Sequence, residues 1–195
     1  CETLMGVDDS IGAILDYLES VNQSDESLLI YMGDNGFSWG EHGLIDKRHF
    51  YEESTRVPLL FHYPAVIKPG QVNRSLILNT DIAPTILDYA KAEIPSHYVG
   101  KSIKPTFNVE EVIKLRDTIF YEYYWEYDFP MTPTTFGVRD AQFKLIRYHG
   151  IWDRNEFYDL KNDPYEINNL IESKDHQEKI IKMTEALYTW LNKTN

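Results

Sequence analysis

Leu4, Val7, Ile11, Ile14, Leu18 and Val21 recur every three or four residues. This spacing lines one face of a helix and predicts an amphipathic helix over residues 3–22. The polar break Asn22-Gln-Ser-Asp-Glu26 ends it. Leu28–Met32 is then a continuous apolar run between turn residues, as expected of a strand buried on both faces of a helix-covered sheet. Pro58–Tyr63 predicts a second such strand, closed by Pro64 and the turn Lys68-Pro-Gly70. Between the two, residues 33–56 are dense in Gly, Asp, Glu and His and read as a long loop. Asp81 is placed to cap a helix reaching about Ala92, with Pro84 tolerated in its first turn. This succession of helix, buried strand and polar loop predicts an α/β layered fold.

Beyond Pro105 the pattern changes. Thr118–Tyr127, Thr134–Arg139, Gln142–Tyr148 and Glu156–Leu160 read as short strands joined by turns. Alternation sets Phe143, Leu145 and Arg147 against Lys144, Ile146 and Tyr148, with bulk on both faces. Ile180, Met183, Leu187 and Leu191 predict a last helix from about Asp175. A boundary is therefore placed near residue 115, with an α/β layer over 1–115 and a small antiparallel α+β unit over 116–195.

Composition narrows the function. The 195 residues are 43% hydrophobic and 26% charged, which excludes intrinsic disorder. No apolar run approaches the ~18 residues of a membrane span, and the chain opens directly into the helical pattern, with no targeting peptide expected. The 19 basic and 31 acidic residues give a net charge of −12, which argues against a nucleic-acid partner. Holding an anionic ligand would need a local cation cluster or a bound metal to reverse the sign. One cysteine excludes an internal disulfide, and N-x-S/T triplets at Asn22, Asn73 and Asn192 are weak pointers to secretion.

The chemistry concentrates after the first strand. Gly33-Asp-Asn-Gly36 places Asp34 and Asn35 beyond its carboxyl end, where ligands bind in open α/β sheets. A carboxylate beside an amide oxygen suits Ca²⁺ or Mg²⁺, and the same four residues make an ordinary tight turn. Gly40-Glu-His-Gly43 and Asp46-Lys47-Arg48 add an imidazole and two cations within one loop. Tyr121–Asp128 holds four tyrosines, a tryptophan and three acids, compatible with a glycan subsite or with a packed aromatic strand. His149 and Trp152 read either as pocket borders or as turn packing.

The stretch Gly33–Arg48, followed by Tyr51-Glu-Glu-Ser-Thr-Arg-Val-Pro-Leu-Leu60, resembles the carboxyl-terminal half of the type I sulfatases. Asn79–Asp88, Gly137–Tyr148 and Glu156–Leu170 continue the resemblance along the chain. The Asp-Lys-Arg and Tyr-Glu-Glu-Ser wording is similar to that of N-acetylglucosamine-6-sulfatases and mucin-desulfating sulfatases. The resemblance implies the carboxyl-terminal part of an alkaline-phosphatase-like sheet domain plus a small antiparallel subdomain. It implies Asp34 and Asn35 as calcium ligands, and Lys47, thirteen residues beyond Asp34, as the sulfate contact. His42 is the second catalytic candidate and Arg48 joins Lys47 in substrate binding. The implied partner is a sulfated sugar or glycan, and the implied location is periplasmic, secreted or lysosomal.

The family's formylglycine is made from the first residue of a Cys/Ser-x-Pro-x-Arg motif, which this sequence lacks; Cys1 begins Cys-Glu-Thr-Leu-Met. The chain is thus expected to be a fragment that is inactive alone, with one calcium site partly encoded and the formylglycine in an amino-terminal half. Self-association through a truncated sheet is a further expectation. A phosphohydrolase of the same superfamily would need clustered Asp and His for zinc, and only Asp34 with His42 is available. A non-catalytic glycan-binding module is the remaining alternative.

Overall fold

The computed structural model describes residues 2–108, 113–150 and 154–194. Helix α1 (Glu2–Ser20) carries the predicted apolar stripe, yet none of its residues is buried. Strand β1 (Leu29–Met32) pairs antiparallel with β4 (Leu59–His62), Leu29 opposite His62 and Met32 opposite Leu59. These two strands form a sheet of their own among the described residues. The expectation of strands buried on both faces is therefore corrected: Leu60 is 63% exposed, and Tyr31 also faces solvent. A two-stranded ribbon has no inner strand to enclose, so its apolar run stays accessible.

Between β1 and β4, the short hairpin β2 (Ser38–Trp39) and β3 (Ile45–Asp46) precedes one helical turn, α2 (Glu52–Thr55). Helix α3 (Ile82–Tyr89) begins directly after Asp81, as expected, but Asp81 does not cap it with its side chain. The fully buried carboxylate instead takes both Arg116 nitrogens at 2.6–2.7 Å and the amides of Leu78 and Lys101 at 2.8 Å. A bidentate guanidinium is the stronger partner for a buried carboxylate.

Strands β5 (Ile119–Tyr123), β6 (Thr135–Arg139), β7 (Phe143–Tyr148) and β8 (Glu156–Asp159) form an antiparallel meander in chain order. Helix α4 (Gln177–Thr194) covers one face, where Val138, Leu145 and Phe157 meet Ile180, Met183 and Leu187. Each such side chain, fully buried, contributes about 1.5–3 kcal/mol. The opposite face carries Ile146 and Tyr158 and receives Phe50 and Tyr51, from the segment between β3 and α2. Both faces of β7 are thus enclosed, which accounts for the bulk on each side of its alternation. Gly137 makes the contact feasible, because a Cβ there would lie 2.2 Å from the Phe50 ring.

Lys144 of β7 reaches into this second layer with no exposed surface. Its ammonium lies 2.7 Å from the Phe50 carbonyl, 2.9 Å from Glu52 and 2.7 Å from Glu166. Arg139 meets the same Glu52 carboxylate at 2.6 Å, and the Glu52 amide donates to Glu166 at 2.7 Å. Burial raises the Glu52 carboxyl pKa, but Lys144 and Arg139 outweigh burial and hold it below the ordinary value of 4.5. A lowered carboxyl stabilises the fold above the unfolded value, and that contribution is lost as pH falls through the folded one. Glu52→Gln is therefore expected to cost about 3 kcal/mol at neutral pH. In urea titrations the gap to the unsubstituted protein should narrow below pH 4.5; a gap independent of pH would show that the ion pairs carry no stability.

Candidate active site

The polar loop leaving β1 is fixed from beneath. Gly33 N–H donates to the Pro58 carbonyl at 3.2 Å, and Gly36 N–H to the Ser54 carbonyl at 2.9 Å. A Cβ on Gly36 would stand 1.9 Å from the Glu53 carbonyl oxygen, so only glycine lets α2 approach this closely. Asp34 and Asn35 are thereby held at the surface, both exposed. The Asn35 amide donates to Asp34 Oδ1 at 2.9 Å, and its side-chain nitrogen donates to the Gly36 carbonyl at 2.8 Å. The latter bond turns Asn35 Oδ1 away as the free acceptor, and Lys47 Nζ donates to it at 3.0 Å. Residues twelve apart in sequence thus meet in one contact, an ammonium on an amide oxygen.

Asp34 and Asn35 offer only oxygen donors, and the amide oxygen already attracts a cation. This donor set is of the kind a hard divalent ion takes, and would supply two ligands to one.

Asp46 and Arg48 point into a different set of contacts from Lys47. Asp46 accepts from the Lys47 amide at 2.6 Å, from Arg48 at 2.5 Å and from Thr132 Oγ1 at 3.1 Å. Burial pushes its carboxyl up, but these bonds prevail and its pKa lies below the usual range. The Arg48 guanidinium also lies 3.2 Å above the Phe129 ring, so its charge is met on two sides. His49 is buried, and burial lowers its imidazole pKa despite Asp46 at 3.8 Å.

His42 occupies the left-handed region at φ 56 between two glycines that also have positive φ, Gly40 and Gly43, with Glu41 intervening. Its ring stacks on Tyr51 at 3.7 Å, and Nε2 faces Glu53 at 3.4 Å. The Tyr51 hydroxyl in turn donates to Glu156 at 2.8 Å. Ligand atoms of His42, Glu53 and Glu166 lie within 4.8 Å of one another, and Lys144 already supplies the positive charge beside Glu166.

The structure therefore brings Lys47 to Asn35 and directs His42 and Arg48 to other partners. Of the residues holding them, Asp46, Tyr51 and Glu53 lie in the quoted motifs but had no role assigned from the sequence, and Thr132 and Phe129 have no local sequence signal. Tyr121 packs on Phe50 at 4.7 Å, while Tyr124, Trp125 and Tyr127 are exposed. His149 is exposed at the end of β7, its amide on the Thr134 carbonyl; Trp152 lies outside the described residues.

The chain belongs to the family described as N-sulphoglucosamine sulphohydrolase, C-terminal, which matches residues 40–193. It is similar to an N-acetylglucosamine-6-O-sulfatase of Bacteroides thetaiotaomicron, 37% identical over 190 residues, or 95% of this chain. It is also similar to the human N-acetylglucosamine-6-sulfatase, 35% identical over 127 residues, covering 64% of this chain and 23% of that protein. Among solved structures it resembles a protein in complex with its substrate D-glucosamine-2-N,6-O-disulfate, with TM-score 0.89 and 37% identity over 97% of this chain and 39% of that one. The chain spans about a third of the length of the first curated relative, 34%. These neighbours share the expected fold class. No helix among the described residues is long and apolar enough to cross a membrane.

Gly36→Ala is expected to destabilise the protein by about 1–3 kcal/mol through the clash with the α2 carbonyl. A thermal melt unchanged by the substitution would mean that α2 is free to retreat.

Proposed function

We propose that this chain is the carboxyl-terminal part of an enzyme that hydrolyses sulfate esters of a glycan, of the N-acetylglucosamine-6-sulfate type. The contact of Lys47 Nζ with Asn35 Oδ1 at 3.0 Å carries the reading, because it joins an ammonium to the hard-oxygen pair beyond β1. Residues 1–115 then belong to the α/β domain and 116–195 to the small subdomain. The apolar face of α1 and the β1–β4 ribbon are left for the rest of the enzyme to cover, and would pair copies of the chain in its absence.

In this reading Asp34 and Asn35 supply part of a calcium site. When bound, the ion neutralises the anionic oxygens of the ester. Lys47 would present its ammonium to the sulfate and stabilise charge building in the transition state. His42 supports the loop in this reading, because its Nε2 is buried against Glu53 and its ring is stacked on Tyr51, so it does not reach the leaving oxygen. Arg48 borders the substrate, its direction set by Asp46. The formylglycine nucleophile belongs to a segment outside this sequence.

In the enzyme carrying this segment, Lys47→Ala is expected to lower turnover of a sulfated N-acetylglucosamine by about 10²–10³-fold while leaving the melting temperature unchanged; an unaltered rate would remove Lys47 from the site. Asp34→Ala should weaken calcium binding about tenfold or more by calorimetry, and equal affinity would leave Asp34 as a turn residue. Preference for zinc over calcium in the same titration would favour a phosphohydrolase instead.

A further inference from the structure

The loop between β5 and β6 is bound to the segment that carries Lys47. Thr132 Oγ1, nearly buried, donates to Asp46 at 3.1 Å, and Phe129 lies under Arg48 at 3.2 Å. Lys47 is the residue between the two that the loop grips. Above these anchors residues 124–131 are all exposed, with Trp125 at 50% and Tyr127 at 84%. The loop is nonetheless ordered by its own bonds. Phe129 N–H donates to the Glu126 carbonyl at 3.1 Å, and Thr132 N–H to the Phe129 carbonyl at 3.0 Å. The Trp125 amide donates to Thr134 Oγ1 at 2.8 Å, and the indole nitrogen to the Pro130 carbonyl at 3.3 Å. Trp125 is held by its indole bond, and Tyr127 stands edge-on to it at 6.5 Å; aromatic surfaces placed together and left in water suit a partner with an apolar face.

Charge identifies that partner. Residues 124–134 contain Glu126 and Asp128 and no Lys, Arg or His, while Arg48 at the base is neutralised by Asp46. A sugar ring offers C–H faces to aromatics and hydroxyls to carboxylates. A second sulfate or a uronate at this position would meet like charge.

We propose that the β5–β6 loop forms a sugar subsite beside Lys47 that takes an uncharged hexopyranose of the sulfated glycan, stacked on Trp125 and Tyr127, and that Glu126 and Asp128 reject an anionic ring there. This rests on the sulfatase reading above and adds which neighbour of the ester is accepted.

The test compares three substrates with the complete enzyme: 4-nitrophenyl sulfate, a sulfated N-acetylglucosamine linked to a neutral hexose, and the same sugar linked to a uronate. Trp125→Ala should raise KM for the neutral disaccharide about tenfold, with kcat and the rate on the aryl sulfate unchanged, and Trp125→Phe should restore most of the affinity. Glu126→Lys should improve the uronate disaccharide relative to the neutral one. Equal losses on the aryl sulfate and the disaccharide, or no change in KM on either sugar, would overturn the subsite while leaving sulfatase activity standing. An unsubstituted enzyme inactive on all three sulfates would overturn both readings.

Discussion

One buried ammonium holds the two halves of the molecule together. Lys144 has no solvent contact, so its charge depends wholly on the Phe50 carbonyl, Glu52 and Glu166. A lone buried charge costs several kcal/mol, and two carboxylates with a carbonyl offset that cost only in this one arrangement. Phe50 and Tyr51 fill the apolar space beside it, packed with Ile146 and Tyr158. Polar and apolar terms therefore specify the same docking of residues 50–52 on β7, and the position of every side chain nearby follows from it.

From this anchor the loop divides its side chains among separate tasks. Lys47 turns toward Asn35, while Asp46 and Arg48, on either side of it, turn toward Thr132 and Phe129. The chain bends at Lys47, whose amide donates to Asp46 Oδ1 at 2.6 Å, and this bend accompanies the split. His42 is drawn a third way, onto Tyr51 and Glu53. The loop thus keeps the Lys47 ammonium on the oxygen pair and satisfies the Arg48 guanidinium internally.

Much of the small sheet was legible in the sequence because its strands alternate and its closing helix has a regular stripe. Each of β5 to β8 falls within its predicted range, and α4 begins two residues after Asp175, behind a short 3₁₀ turn at Lys174–His176. The first half was less legible. The apolar runs of β1 and β4 correctly announced strands, but local pattern does not reveal how many strands a sheet has. Asp81 illustrates a similar limit: its position before α3 was clear, whereas its partner Arg116 lies 35 residues away. At the site, Asp34, Asn35 and Lys47 stood out through residue type and spacing. The supporting contacts from Thr132 and Lys144 arise 86 and 94 residues from the loop they touch, and Phe129 acts through a ring contact with no local signature.

The separation of Phe50 from Lys144 and of Glu52 from Glu166 also sets the order in which the molecule can be completed. Those partners lie 94 and 114 residues downstream of the loop they hold. On the ribosome the loop emerges long before its support, whereas β5 to β8 pair with immediate sequence neighbours and close quickly once made. The meander is thus the template and the earlier loop the late arrival. A nascent chain stopped before residue 144 would carry every proposed site residue but lack Lys144 and Glu166, the two side chains that dock residues 50–52 on the sheet.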